Sequence, residues 1–115
     1  MTAVTIDGKR LSEQRRTLLA ERVRALQARS IQPCLVAVTA HPDHGWTVYL
    51  RNQASACAAV GIRHRQLTLA AGAGPEELAE LIEGLNLDPH VHGVILQSPL
   101  AGPGWPPAAA PGCPD

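Results

Sequence analysis

Three neutral polar side chains, Tyr49, Gln53 and Gln97, are the residues of this 115-residue sequence best suited to meet a ligand. Tyr49 and Gln53 stand four apart, so on a helix they share one face. Gln97 follows the apolar run Gly93-Val94-Ile95-Leu96, and Pro99 stops the segment two residues later. A tyrosine hydroxyl donates and accepts hydrogen bonds, and a glutamine amide does both. Such a set suits a planar, hydrogen-bonding heterocycle. It is a poor set for acid–base catalysis, because no member titrates near neutral pH. The same residues also admit a plain structural reading, in which Tyr49 packs as a helix aromatic and Gln97 caps a turn.

The elements that must position these groups alternate in type. Residues 4–6 read as a short strand or lead-in, and Asp7 is a candidate N-cap for a helix running to about residue 29. Its apolar positions Leu11, Leu18, Leu19, Val23 and Leu26 recur near a 3.6 period, with arginines and glutamates on the other face. Pro33 precedes an apolar run at 34–39, the pattern of a strand buried on both faces. Residues 41–45 are loop by composition. A helix follows at 46–60, with Gly61 as its stop. Residues 62–69 form a more polar strand, nearer a sheet edge. Pro75 opens a third helix, where Glu76 and Glu77 complement the positive end of the dipole. Leu78, Leu81, Ile82 and Leu85 are its apolar stripe, Asp88-Pro89 breaks it, and residues 93–96 are the last strand.

This order implies an α/β fold: βαβ units with a small, mostly parallel sheet flanked by helices. Ligands of such sheets gather beyond the carboxyl ends of the strands. The loop after Thr39, the start of the second helix with Tyr49, and Gln97 are all expected there. Residues 1–100 form the domain. Residues 101–115 are Ala, Gly and Pro in the main, with five of the ten prolines at 103–114, and are expected to be a disordered tail.

Composition narrows the function. Ten basic and ten acidic residues balance, so no basic stripe is available for nucleic acid. No run has membrane-spanning length and the start lacks a secretory pattern, so a cytoplasmic protein without membrane contact is expected. Cys34, Cys57 and Cys113 lack paired spacing and read as free thiols, two of them small core residues. His41 and His44, and His90 and His92, lack further ligands in recognisable spacing, so no metal site is expected. Without any Phe, the core must be aliphatic and alanine-rich.

Several segments occur together in one order: Ile6-Asp7-Gly8-Lys9, Pro33 before an apolar strand, Tyr49-Leu50-Arg51-Asn52, Gly61-Ile62, Leu85-Asn86 with Asp88, and His92-Gly93-Val94-Ile95-Leu96-Gln97-Ser98-Pro99-Leu100. Residues 4–100 thereby resemble the N-terminal catalytic domain of the bifunctional methylenetetrahydrofolate dehydrogenase/methenyltetrahydrofolate cyclohydrolase family. The resemblance implies one-carbon metabolism and a folate-type small molecule as ligand. It implies that Tyr49 lines the folate pocket near the pterin and its one-carbon bridge, that Gln97 supports the catalytic lysine, and that Pro99 and Leu100 shape the pocket wall. In the family a hydride passes from the methylene carbon to NAD or NADP. Water then adds to the methenyl cation and opens the ring, with the lysine shuttling protons.

The sequence departs from that pattern in three ways. The lysine position, four after the tyrosine, is Gln53, which keeps length and hydrogen bonding but cannot carry a proton near neutrality. Acid–base help is typically worth about a hundred- to ten-thousandfold in rate, so cyclohydrolase activity is expected to be severely impaired. The family's Gly-Asp-Asp-Pro-Ala-Ser loop is His41-Pro42-Asp43-His44-Gly45-Trp46, with a bulky Trp46 three residues before Tyr49. No dinucleotide fingerprint is found, so the NAD(P) domain is expected to be missing, together with the lysine-aspartate-valine-aspartate-glycine segment whose second aspartate helps hold folate. Three readings stay open: a truncated family member with weak or no activity alone, a non-catalytic folate- or pterin-like binding module, and an interaction protein using the exposed interdomain face. The expected protein partner is a second copy, as a homodimer, or a chain supplying the missing domain.

Overall fold

The computed structural model describes residues 2–39, 44–70 and 72–97, with the backbone alone for 44–46. The expectations for Pro99, Leu100, the 101–115 tail and the side chain of Trp46 lie outside the described residues.

Helix α1 spans Gly8–Ala28. Asp7 caps it, its Oδ1 accepting from the Arg10 N–H at 3.1 Å, which satisfies one orphan donor of the first turn. Strand β1 follows at Cys34–Thr39, then α2 at His44–Val60, two residues earlier than its composition suggests. Gly61 stops α2 at φ +88, a conformation that a side chain disfavours. Strand β2 is Arg63–Thr68, α3 is Pro75–Leu87 and β3 is Gly93–Leu96. Residues 4–6 form no strand: Val4 and Ile6 are exposed and serve as a lead-in.

The three strands are parallel in the order β2-β1-β3. The first crossover, through α2, runs from β1 out to β2, and the second, through α3, runs from β2 back past β1 to β3; they cross the sheet in opposite directions, so right-handed connections put α2 and α3 on opposite faces. Side-chain alternation agrees. Cys34, Val36 and Val38 pack with Leu78, Ile82 and Leu85 of α3 in one cluster, which leaves Leu35, Ala37 and Thr39 facing α2. The central strand is the buried one, and β2, pairing on one side only among the described residues, mixes exposed and half-buried positions. Its polar sequence therefore suits an edge.

The expected apolar stripe of α1 is only partly used. Val23 is buried and Leu26 half-buried, but Leu11, Leu18 and Leu19 are exposed. Only the C-terminal part of the helix meets the rest of the described fold, at Val23 and Leu26. The C-terminal part of α1 docks where α2 ends: Gln27 Nε2 and Gln32 Nε2 both donate to the Gly61 carbonyl, at 3.3 and 2.8 Å.

Candidate functional site

The carboxyl end of the sheet carries a polar row. Thr39, the last residue of β1, is the buried polar residue of the core, and its Oγ1 lies 3.2 Å from Thr68 Oγ1 across the β1–β2 pair. On the other side, the Gln97 N–H donates to the Val38 carbonyl at 2.8 Å. This continues the β1–β3 register, in which Val38 pairs with Leu96, by one residue, and sets Gln97 beside Thr39. Alternation then puts Gln97, Thr39 and Thr68 on the α2 side of the sheet.

α2 runs antiparallel to the strands, so its early residues lie toward this end. Tyr49 is exposed and Gln53 half-buried, one turn apart or about 6 Å along the axis. The Gln53 Oε1 accepts from His64 Nε2 at 2.8 Å. His64 lies opposite Leu35 on β2, so the amide of α2 is tied to the edge strand on the face that α2 covers. Sequence reasoning singled out Gln53 and missed His64. The available signal was weak: polar residues at 64, 66 and 68 alternate along a strand, but only the register shows which of them meets α2.

Other reactive groups are occupied structurally. The His92 ring accepts the Cys34 N–H at Nδ1, 3.1 Å away, while the His92 N–H donates to the Cys34 carbonyl at 3.0 Å. This histidine therefore clamps the start of β3 to β1. Among the described residues no three His, Cys, Asp or Glu groups converge as metal ligands. Cys34 and Cys57 are buried free thiols. Burial pushes the Cys57 thiol up, which suppresses its thiolate and its reactivity.

Among the described residues no glycine-rich strand-to-helix turn is free to hold a dinucleotide pyrophosphate. The turn after β2 holds Gly72 and Gly74, but the Glu77 carboxylate already occupies the anion position: its Oε2 accepts from the Gly74 N–H at 2.7 Å. A phosphate there would meet a like charge.

A family model described as the tetrahydrofolate dehydrogenase/cyclohydrolase catalytic domain matches residues 6–105. The chain belongs to this family. Its curated relatives include the bifunctional protein FolD of Verminephrobacter eiseniae, 43% identical over 100 residues that cover 87% of this chain and 35% of that protein. The FolD of Bordetella bronchiseptica is 39% identical with the same coverage. Among solved structures, the bifunctional enzyme FolD, methylenetetrahydrofolate dehydrogenase/cyclohydrolase, from Campylobacter jejuni superposes with a TM-score of 0.77 at 33% identity. It covers 82% of this chain and 33% of that one. The Trypanosoma brucei FolD, complexed with NADP cofactor and inhibitor, gives a TM-score of 0.76 at 29% identity, covering 91% and 36%. The chain thus spans about a third of the length of the FolD relatives it matches.

Proposed function

We propose that this chain supplies the folate-binding catalytic part of a methylenetetrahydrofolate dehydrogenase/methenyltetrahydrofolate cyclohydrolase, with its cyclohydrolase chemistry severely reduced. A tetrahydrofolate derivative lies against α2 at the carboxyl edge of the sheet. Tyr49 lines the pterin side, Gln97 supplies an amide, and Pro99 and Leu100 form the wall. The reading is carried by one observation: the polar row Thr39–Gln97 and the helix face of Tyr49 and Gln53 lie on the same side of the sheet.

Opening the methenyl ring needs a proton taken from the attacking water and delivered to the departing nitrogen. Gln53 can donate a hydrogen bond but cannot complete that cycle. NAD or NADP, the family's hydride acceptor, finds no fitting turn among the described residues, and the partner that completes dehydrogenation is proposed to be a chain or unit that binds the nucleotide. Cytoplasmic function is part of the proposal; among the described residues no helix is long and apolar enough to cross a membrane.

Titration with 5-formyltetrahydrofolate, read by intrinsic fluorescence of Trp46 and Trp105, should give a saturable signal. No signal at millimolar ligand overturns the binding claim. Direct assay of 5,10-methenyltetrahydrofolate should show little enzyme-dependent hydrolysis, and rapid turnover by the native chain overturns the claim about Gln53. A second reading, self-association, is favoured by the exposed Leu11, Leu18 and Leu19 on α1. The occupant in that reading is a second copy of this chain. Sedimentation should then show mass rising with concentration, and a strict monomer removes it.

A further inference from the structure

Among the polar contacts of the site that play no part in secondary structure is the hydrogen bond between His64 and Gln53. His64 lies on an edge strand, its backbone in the sheet and its ring half-buried beneath α2. A ring placed there to fill space needs no directional bond. This one makes a 2.8 Å contact to the amide of the helix residue that shares a face with Tyr49.

A carbonyl oxygen only accepts, so the imidazole must present Nε2–H to Gln53 Oε1. That fixes which end of the amide is used up. The Gln53 NH2 group has no partner among the described residues. Nor does any buried side-chain nitrogen or oxygen among them lack a partner, so this NH2 is accessible rather than sealed in the core. An unrestrained glutamine can turn by half a revolution and offer either an acceptor or a donor. A glutamine held at its oxygen offers only the donor.

We infer that His64 is a positioning residue for ligand recognition: it holds Gln53 by the amide oxygen, so that position 53 presents a hydrogen-bond donor and selects a ligand with an acceptor, a carbonyl oxygen or an unprotonated ring nitrogen, at that point. The inference rests on the folate reading of the site and adds to it the sense of one hydrogen bond and the residue that sets it. It also explains how the chain keeps a binding interaction at position 53 without a proton carrier. Donation survives and proton exchange does not.

Two measurements test this. The first needs no ligand. Nitrogen-15 NMR of the full chain at mildly alkaline pH should show His64 in the Nε2–H tautomer, and Gln53→Leu should release it to a mixture. A mixture in the native chain, or no change on Gln53→Leu, overturns the inference. The second is a double-mutant cycle on the affinity for 5-formyltetrahydrofolate. His64→Leu should weaken binding about tenfold, the scale of one oriented hydrogen bond, and His64→Gln, which can still donate to Oε1, should restore most of it. In a Gln53→Leu background, His64→Leu should change affinity less than about twofold. Equal losses in both backgrounds mean that His64 acts on packing alone, and the inference fails. If the native chain binds no folate while the tautomer signature is present, the proposed function is what has failed. The ligand role of His64 falls with it, and only the Gln53–His64 contact stands.

Discussion

Under the proposed function, position 53 separates binding from catalysis. An amide and an ammonium both donate, but only the ammonium can lose and regain a proton during a reaction. Gln53→Lys is therefore expected to raise hydrolysis of 5,10-methenyltetrahydrofolate by about a hundredfold or more, read as loss of the methenyl absorbance. If folate binds and the rate does not rise, a second defect lies in the pocket. Cys57 provides a test of burial at the same scale. Because desolvation raises its thiol, alkylation by iodoacetamide at mildly alkaline pH should be slow in the folded chain and fast in urea, measured by mass spectrometry. The sign of the linked stability follows: the folded state holds this proton more tightly, so Cys57 favours folding below the ordinary thiol range. That contribution is lost as pH rises through it. Asp7 was legible as an N-cap because the cap is a local geometry, and Asp7→Ala should cost about 1 kcal/mol, measured by urea unfolding.

At the scale of elements, the fold depends on two packing junctions. One is the sheet against α3, where Leu78 is fully buried among Val36 and Val38. Leu78→Ala should cost about 2–5 kcal/mol, which in so small a core shows as a large drop in the urea midpoint. The other is the turn where α1 meets the end of α2. Gly61 has φ +88, and a Cβ there would stand 3.0 Å from Val23 Cγ1 and 3.3 Å from Gln27 Nε2. Gly61→Ala should therefore destabilise by more than the roughly 1 kcal/mol expected for a left-handed residue alone, because Val23 is itself buried and must shift. Circular dichroism of both variants against urea checks the ranking: Leu78→Ala the larger effect, Gly61→Ala smaller but clear. The periodicities of α2, α3 and β1 located these elements to within two residues, because each buries a face against a neighbour of similar length. The stripe of α1 misled for the converse reason: the described residues cover it only near its C-terminal end, at Val23 and Leu26.

For the whole molecule, ligand and fold are coupled by mass action. A ligand that binds only the folded chain stabilises it by about 2.7 kcal/mol at a hundred times its dissociation constant. 5-Formyltetrahydrofolate at that excess should raise the thermal midpoint by several degrees, and Tyr49→Ala should abolish the rise. The order of elements, the parallel α/β class, the edge character of β2 and the family were all legible in the chain. They are consequences of hydrophobic period, turn chemistry and local motif, which act between near neighbours in sequence. Strand order was not legible, since either side of β1 was open to β2 until the crossovers were built. Nor was the pairing of Gln53 with His64, eleven residues and one element apart. Both depend on register, and a strand shifted by one residue would turn His64 to the other face of the sheet. The residue types at the site were thus written in the sequence, and what each of them touches was decided only when α2 came to rest on that face.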